Sequence, residues 1–226
     1  MTESLKYQAA VSALDEVKDG MAVGLGTGST VNPFIRELGL KVQAGLNITA
    51  IATSIESERL AIDAGIPIVT FERHQVLDLT VDGADEVTPA LDLVKGLGGA
   101  LVREKIVAKA SRRLVIVVDE SKLVDQLGTK APIPVEVIPL AEQLVVSALG
   151  KIGGEPKVRL QNGSRFKSDN GNVVVDWHYG PVQDPAALEG QLKSMSGVVD
   201  SGIFAKMAHR VVVAGVAGVR ILDRES

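Results

Sequence analysis

The chain of 226 residues contains no cysteine. Disulfide bonds and thiolate metal sites are therefore excluded, and we expect a protein of a reducing compartment, the cytoplasm. Apolar runs that approach the roughly 20 residues needed to cross a bilayer are also missing. The N-terminus lacks the basic cluster and the apolar stretch of a signal peptide. We therefore expect no membrane partner.

An excess of positive charge is missing as well. The net charge is −4, and the lysines and arginines are scattered, so a nucleic-acid partner has little electrostatic support. Histidine is scarce, and its positions lie far apart without the close spacing of a metal-binding helix. They are His74, His178 and His209. We expect structural or surface roles for these side chains. The hydrophobic fraction of 46% and the charged fraction of 23% are typical of a globular protein.

Strand-like and helix-like segments alternate through the first half of the chain. Strands are predicted over residues 21–25, 48–52, 66–69, 76–81 and 113–118. Helices are predicted over residues 5–17, 30–44, 55–64 and 99–111. Ser29 or Thr30 is the expected N-cap of the second helix. This rhythm predicts a mostly parallel, Rossmann-like α/β sheet with helices on both faces.

The second half of the chain has a different character. Residues 131–139 carry three prolines and are typical of a linker or an edge strand. Helices are predicted over residues 140–149 and 185–195, and strands over 157–160, 173–176, 198–203, 211–214 and 219–222. The pattern predicts a small α+β, ferredoxin-like domain of residues 131–204. An α/β catalytic domain comprises residues 1–130, with residues 205–226 returning to it.

The glycine-rich run Gly24–Thr30 follows the first strand and precedes a helix. Bare N–H groups at such a helix start, together with the helix dipole, favour an anion. Thr27, Ser29 and Thr30 add hydroxyl groups. The spacing differs from the dinucleotide-binding pattern, and no lysine of a P-loop is present. We predict a phosphate site, and a plain tight turn is the alternative.

The acidic run Asp82–Glu86 follows another predicted strand. Three carboxylates in so short a segment repel one another unless they meet cations, a metal ion or a proton. Such crowding suits acid–base chemistry. A solvated turn with capping aspartates and a divalent-metal site are the alternatives.

Lys95 opens a second glycine-rich run, Lys95–Gly99, which enters a predicted helix. Glu104 then lies in the first turn or two of this helix, about 100° from each neighbouring charge. A carboxylate there, with Lys95, has the composition of a general base beside an electrophilic cation. An amphipathic helix whose charges face water is the alternative.

Each of these runs follows an apolar segment typical of a strand, as does a fourth run, Asp119–Lys122. We therefore expect all four to gather along one edge of a single sheet. Amides and hydroxyls for a phosphate, together with carboxylates and lysines for proton transfer, suggest chemistry on a sugar phosphate.

With these four runs in this order, the chain closely resembles the ribose-5-phosphate isomerases of the A type. The resemblance spans essentially the whole length and includes Thr53-Ser54 and the segments 134–139 and 169–173. It implies interconversion of D-ribose 5-phosphate and D-ribulose 5-phosphate through a cis-enediolate, without metal or cofactor. It also implies a parallel α/β domain with a small α+β domain, assembled as a homodimer or homotetramer.

The resemblance also implies roles for individual residues. Glu104 is expected to shuttle a proton between C1 and C2, Asp82 and Asp85 to assist ring opening and move protons on the sugar oxygens, and Lys95 to stabilise the enediolate oxygen. Contacts to the substrate are expected from Gly26, Thr27, Gly28, Ser29, Thr30, Ser54, Gly83, Ala84, Gly96, Gly98, Lys122 and Lys6. Leu97 departs from the family pattern, which often has glycine there, and its Cβ is expected to restrict the loop.

Two other functions fit parts of the pattern. An amino-sugar phosphate deaminase or a lactonase uses a similar glycine loop but would recruit a histidine near the acidic run. A sugar-phosphate-sensing domain of a transcriptional regulator would need a DNA-binding helix-turn-helix, for which the chain has no spare segment. Such a sensor would also have no use for Lys95 and Glu104.

Overall fold

The computed structural model describes residues 2–224. Within that range, no helix combines the length and the apolar character needed to cross a membrane. The helices are α1 (Thr2–Ser12), α2 (Val31–Gln43), α3 (Ile55–Asp63), α4 (Leu101–Lys109), α5 (Glu142–Ile152) and α6 (Pro185–Lys193). The strands are β1 (Ala22–Leu25), β2 (Thr49–Ala52), β3 (Leu79–Asp82), β4 (Glu86–Val87), β5 (Leu93–Val94), β6 (Leu114–Asp119), β7 (Ile133–Val137), β8 (Glu155–Val158), β9 (Leu160–Gln161), β10 (Ser164–Arg165), β11 (Val173–His178), β12 (Val198–Ser201), β13 (Ile203–Phe204), β14 (Arg210–Gly215) and β15 (Gly218–Asp223).

The chain divides into two compact units, each of which is built from separate stretches of sequence. The first unit contains the chain up to Ala84, Arg103–Lys122, and the chain from Met207 on. The second unit contains Asp85–Val102 and Leu123–Lys206. The predicted small domain of residues 131–204 lies within the second unit, which also takes in residues 85–102 and 123–130.

The first unit is built on a six-stranded sheet in the order β15-β14-β6-β3-β1-β2. All neighbouring strands are parallel except β15, which pairs antiparallel with β14. Apolar side chains of α1 and α2, such as Ala9 and Phe34, pack with Val23 and Val115 of the sheet in one buried cluster. The predicted mostly parallel, Rossmann-like sheet is confirmed. The segment 66–69 joins it through a single bridge, Ala50 with Ile68, instead of the predicted strand.

Helix α4 covers the other face of this sheet. Val107 packs with Ala22, Ile51 and Leu77 in a second buried cluster. The N–H of Leu77, which precedes β3, donates to the carbonyl of Ala110, which follows α4 (2.8 Å). The C-terminal end of α4 therefore lies at the start of β3, so the helix runs antiparallel to the parallel strands. Its N-terminal end points toward the edge at which those strands end.

The second unit contains a four-stranded antiparallel sheet in the order β12-β7-β11-β8. With α5 between β7 and β8, and α6 between β11 and β12, the chain order is that of a split β-α-β unit. Trp177, Val135, Val145 and Leu192 are buried in the core between this sheet and its helices. The predicted ferredoxin-like α+β fold is confirmed.

Strand β7 corrects the prediction made from the prolines of residues 131–139. It is a fully buried central strand between β12 and β11, not a linker or an edge strand. The carbonyl of Pro134 accepts from the N–H of Gly202 (2.7 Å), so its nitrogen faces that same side of the strand. The carbonyl of Gly202, which an N–H at position 134 would reach, accepts instead from the N–H of Lys95 (2.8 Å), so the missing N–H of Pro134 leaves no carbonyl unpaired.

A three-stranded sheet, in the order β13-β5-β4, corrects a second expectation. The runs that begin at Gly24, Asp82 and Asp119 end neighbouring strands β1, β3 and β6 of the first unit, as predicted. Lys95 instead follows β5, which belongs to the second unit. The alternation of strand-like and turn-like residues in the sequence predicted where each run begins. It did not predict which sheet the preceding strand joins.

Candidate active site

The glycine-rich turn after β1 opens toward α2. The N–H of Gly26 donates to the carbonyl of Val81 on β3 (2.9 Å), which extends the pairing of the two strands by one residue. Gly28 then adopts a φ of +111°, and a Cβ atom there would meet no other atom within 4 Å. Within residues 2–224, the N–H groups of Gly28, Ser29 and Thr30 donate no hydrogen bond. Three donors at a helix start with open space beside them form an anion-binding arrangement.

A cluster of hydroxyl groups holds this turn in place through hydrogen bonds. The Thr27 hydroxyl lies 2.7 Å from Thr53 Oγ1 and 2.8 Å from Ser54 Oγ. The Ser57 hydroxyl donates to the carbonyl of Gly26 (2.6 Å), and Ser54 Oγ accepts from the N–H of Ser57 as the N-cap of α3. The hydroxyls of Thr27 and Ser54 are therefore used within the protein. Ser57 was not predicted as a site residue, and its position three residues after a serine at the start of a helix was the available signal.

Asp82 lies at the end of β3, directly beside the same turn. Its side chain is fully buried. Its Oδ1 accepts from the N–H of Thr27 (3.1 Å) and from that of Gly83 (2.7 Å). A Cβ atom on Gly26 would lie 2.1 Å from this oxygen and 2.5 Å from Asp82 Cα. Only glycine at position 26 lets β1 and β3 approach closely enough to hold the carboxylate in place.

Glu104 lies in the first turn of α4 and is 4% exposed. Three residues later, Val107 packs over β1 at Gly24, where a Cβ would lie 2.6 Å from Val107 Cγ1. One such helical step places Glu104 about 4.5 Å nearer the carboxyl edge of the sheet. Two residues of strand, from Gly24 to Gly26, cover about 6.6 Å in the same direction. Glu104 therefore faces the sheet beside the end of β1, where Asp82 and the amide turn also lie.

Helix α4 buries two charged side chains, Glu104 and Lys105, which an ordinary amphipathic helix would expose. Lys105 is 2% exposed, whereas Ile106 is 51% exposed. The alternative in which the charges of this helix face water is therefore wrong for Glu104 and for Lys105. Sequence reasoning missed the burial of Lys105, because a lysine next to an apolar residue ordinarily faces solvent.

The three carboxylates of the acidic run have separate surroundings. Glu86 is fully buried, and its two oxygens accept from the N–H groups of Gly128 (2.6 Å), Lys130 (2.5 Å) and Ala131 (2.8 Å). It holds a turn of the second unit. Asp85 Oδ2 accepts from the N–H of Leu97 (3.0 Å). Partners on the backbone therefore relieve the repulsion expected from the sequence.

Lys95 is 2% exposed and begins the second glycine-rich turn. Its N–H donates to the carbonyl of Gly202 (2.8 Å), and its Nζ lies 5.5 Å from the centroid of the Phe204 ring. The positive φ angles of this turn fall on Gly96 (+97°) and Gly99 (+85°). Leu97 has no positive φ, so the backbone of the turn does not require glycine at this position.

Three other predicted residues lie in the first unit, in α1, at the start of α2 and after β6. Lys6 Nζ donates to Ser29 Oγ (2.8 Å), which brings α1 to the turn. Thr30 occupies the N-cap of α2, but its side chain makes no capping bond, so the capping expected of it does not occur. Lys122 ends a short 3₁₀ helix after β6 and is partly exposed. Asp119 Oδ1 accepts from the N–H of Ser121 (3.0 Å).

The histidines and the acidic residues give no metal-binding arrangement. In the part of the chain from residue 2 to residue 224, no group of three or more His, Asp or Glu side chains could hold a metal ion. His209 Nδ1 accepts from the N–H of Leu114 (3.1 Å). Its pKa is lowered by burial of the ring and by the guanidinium groups of Arg113 and Arg224. Both effects favour the neutral ring that this hydrogen bond requires.

Comparison with known proteins gives the family. The family described as ribose 5-phosphate isomerase A (phosphoriboisomerase A) matches residues 49–218. A ribose-5-phosphate isomerase A of Gloeobacter violaceus is 47% identical over 219 residues, which cover 96% of this chain and 95% of the relative. The chain belongs to the ribose 5-phosphate isomerase A family.

Solved structures of this family agree over the whole chain. A ribose 5-phosphate isomerase A from Methanocaldococcus jannaschii superimposes with a TM-score of 0.93 at 44% identity, covering 98% of this chain and 99% of that one. A D-ribose-5-phosphate isomerase in complex with phospho-erythronic acid gives 0.96 at 38% identity, covering 99% and 100%. The family and the fold expected from the four sequence runs are confirmed.

The predicted site residues of this family member fall in both units. The first unit holds Lys6, Gly26, Thr27, Gly28, Ser29, Thr30, Ser54, Asp82, Gly83, Ala84, Glu104 and Lys122. The second unit holds Asp85, Lys95, Gly96 and Gly98. Within the first unit, the amide turn, Asp82 and Glu104 lie at one edge of the parallel sheet. Within the second, Asp85 is bonded to the glycine turn that Lys95 begins.

Proposed function

We propose that this chain interconverts D-ribose 5-phosphate and D-ribulose 5-phosphate, with Glu104 as the base. Membership of the isomerase family supports the reaction. The burial of Glu104 supports the assignment of the base. Glu104 is 4% exposed and lies in the first turn of α4, the end of the helix that points toward the sheet edge at which the amide turn opens. A buried carboxylate next to an anion-binding turn suits proton transfer on a phosphorylated sugar.

The first glycine turn binds the phosphate in this proposal. The N–H groups of residues 28–30 donate to the phosphate oxygens, and the start of α2 adds the positive end of its dipole. Ser29 supplies an exposed hydroxyl, and Lys6 adds a positive charge through its bond to Ser29. Thr27 and Ser54 contribute chiefly by holding the turn, because their hydroxyls already bond within the protein.

Glu104 then moves a proton between two carbons of the open-chain sugar. It takes the proton from C2 of the aldose, which leaves a cis-enediolate, and returns it to C1 to give the ketose. A second proton moves from the oxygen on C2 to the oxygen on C1, and Asp82 and Asp85 assist this transfer and the ring opening. Lys95 stabilises the negative charge on the enediolate oxygen, since prearranged charges act strongly in a site that excludes water.

The substitution Glu104→Gln tests this assignment. We expect kcat for ribose 5-phosphate to fall by a factor of about 10² to 10⁴, the usual contribution of a general base. Glu58→Gln is the matched control, because Glu58 lies in the first turn of α3 but is exposed. Its kcat should stay at the wild-type value. An unchanged kcat in Glu104→Gln would reject the base.

Deuterium exchange and inhibitor binding separate chemistry from binding. In D₂O, the wild type should introduce deuterium into the substrate at C2, and Glu104→Gln should not. Both proteins should bind phospho-erythronic acid, a compound that a related isomerase holds in its structure. Turnover of glucosamine 6-phosphate in place of ribose 5-phosphate would instead support the deaminase reaction considered for the sequence.

We also propose that the protein works in the cytoplasm as a homodimer or homotetramer. The proposal rests on the family resemblance and on the absence of cysteine, which suits a reducing compartment. Light scattering coupled to gel filtration measures the assembly directly. A monomer of 23.8 kDa would contradict it.

A further inference from the structure

Arg159 lies directly after β8 and contacts the glycine turn that Lys95 begins. Its Nη1 donates to the carbonyls of Gly96 (3.1 Å) and Leu97 (2.9 Å). The carbonyl of Gly96 and the N–H of Leu97 belong to one peptide group, and that N–H donates to Asp85 Oδ2 (3.0 Å). This single peptide group is therefore held at both ends, by a guanidinium on one side and a carboxylate on the other.

The guanidinium of Arg159 is itself fixed. Its Nε and Nη2 donate to the two carboxylate oxygens of Asp176 on β11 (2.9 and 2.5 Å), a bidentate pair. The side chains of Arg159 and Asp176 are only 12% and 19% exposed. The Arg159 backbone N–H also donates to Val174 on β11 (2.8 Å). Arg159 is thus mounted on the sheet of the second unit, not on a mobile surface.

Phe166 completes this arrangement. The guanidinium carbon of Arg159 lies 5.5 Å from the centroid of the Phe166 ring, which is a cation–π contact. The same ring packs against Gly99, where a Cβ would lie 2.3 Å from it. The turn therefore has contacts at both of its positive-φ glycines, Gly96 and Gly99. Without such contacts, those two glycines would leave its backbone free to move.

We propose that Arg159 is a positioning residue for catalysis, which acts by fixing the Gly96–Leu97 peptide and, through it, the carboxylate of Asp85 and the loop after Lys95. This inference rests on the roles proposed above for Asp85 and Lys95. Nothing in the reaction requires Arg159 to touch the sugar. It acts on groups that work in the chemical step and not on the phosphate turn, which belongs to the first unit.

The substitution Arg159→Met tests the proposal, because it keeps the apolar stem and removes the donors. We expect kcat to fall roughly 10- to 100-fold, the scale of a misplaced catalytic group. KM for ribose 5-phosphate should stay within about threefold, since the phosphate turn is unchanged. Arg165→Met is the matched control. Arg165 also pairs with a carboxylate of the second unit, Glu142 (2.7 Å), but the contacts of its side chain do not reach the glycine turn.

Arg159→Lys covers the case in which the methionine variant fails to fold. Lysine keeps a positive charge beside Asp176, but its single nitrogen with three donors cannot reproduce both the bidentate pair and the two carbonyl contacts, which need four. Its kcat should lie between those of the wild type and Arg159→Met. A folded Arg159→Met or Arg159→Lys protein with the wild-type kcat would overturn the proposal, as would an equal loss in Arg165→Met. A wild-type protein that does not turn over ribose 5-phosphate would instead refute the proposed function.

Discussion

The two glycine-rich turns have similar sequences, but different contacts hold them. The turn after β1 is fixed by short backbone and hydroxyl contacts. Asp82 Oδ1 accepts the N–H of Thr27, and the Ser57 hydroxyl bonds to the carbonyl of Gly26. The turn after β5 is fixed by long side chains from a distant part of the chain, at residues that follow β8 and β10. Arg159 bonds to its carbonyls and Phe166 packs against Gly99.

This difference assigns different tasks to the two turns. The turn after β1, whose backbone is held rigidly, suits a phosphate, because the charge and shape of a phosphate do not change during the reaction. The second turn carries groups that act in the chemical step, and its contacts come from side chains, which a substitution can change. The comparison predicts that damage to the first turn is hard to repair, whereas damage to the second can be repaired by a change in a neighbouring side chain.

Gly26→Ala should have the largest effect. The new Cβ would lie 2.5 Å from Asp82 Cα, and neither backbone can move away without separating β1 from β3. We expect kcat/KM to fall more than about 100-fold and the free energy of unfolding to fall by about 1–3 kcal/mol, as for other overpacked sites. Steady-state kinetics and urea unfolding measure both quantities.

Gly190→Ala is the control for this substitution. A Cβ at Gly190, inside α6, would meet no other atom within 4 Å, and its φ is not positive. Alanine there should leave activity unchanged and is favourable for a helix. Full activity in Gly26→Ala would show that the backbone of the first turn can shift to accommodate a Cβ. The proposed difference between the two turns would then be wrong.

Gly99→Ala should have the second-largest effect, and a second substitution should relieve part of it. The new Cβ would lie 2.3 Å from the Phe166 ring at a φ of +85°. We expect kcat to fall roughly 10-fold through displacement of the turn. The double variant Gly99→Ala/Phe166→Leu should recover part of the loss, because the smaller side chain removes the clash.

Gly163→Ala isolates the cost of the backbone angle. Gly163 also has a positive φ, +78°, but a Cβ there would meet nothing within 4 Å. Its stability should fall by about 1 kcal/mol with kcat unchanged. If Phe166→Leu returned no activity to Gly99→Ala, the side-chain account of the second turn would be wrong.

The same contrast explains what could be predicted from the sequence. The first turn, the position of Asp82 at the end of β3 and that of Glu104 in the first turn of α4 follow from local pattern, because each depends on a strand end or a helix start nearby. Lys105 could not be predicted as buried, since its burial comes from packing and not from its neighbours in sequence. Arg159 and Gly96 are 63 positions apart in the chain, so no local sequence pattern predicts their contact.

The sheet arrangement follows the same division. Alternating strands and helices predicted the parallel sheet, because its connections are local and regular. The prolines of residues 131–139 predicted an edge or a linker, yet Pro134 lies in the central strand β7. What permits it there is Lys95, whose N–H bonds to the carbonyl of Gly202, more than 60 residues after Pro134, in place of the donor that proline lacks. The low strand propensity of proline reflects its missing N–H donor. Only the tertiary fold determines whether that missing donor matters at a given position.

Lys6→Met should have the smallest effect and sharpens the account of the first turn. Lys6 Nζ donates to Ser29 Oγ (2.8 Å), at the exposed side of a turn that the backbone already holds. We expect KM for ribose 5-phosphate to rise only about two- to fivefold, and kcat to stay unchanged, because an exposed charge contributes about 1 kcal/mol or less. The difference from the wild type should shrink as salt is added.

Lys41→Met, at the exposed end of α2, is the control and should change neither constant. A loss of kcat in Lys6→Met would mean that a side chain, and not the backbone, controls the first turn, which would make the two turns alike.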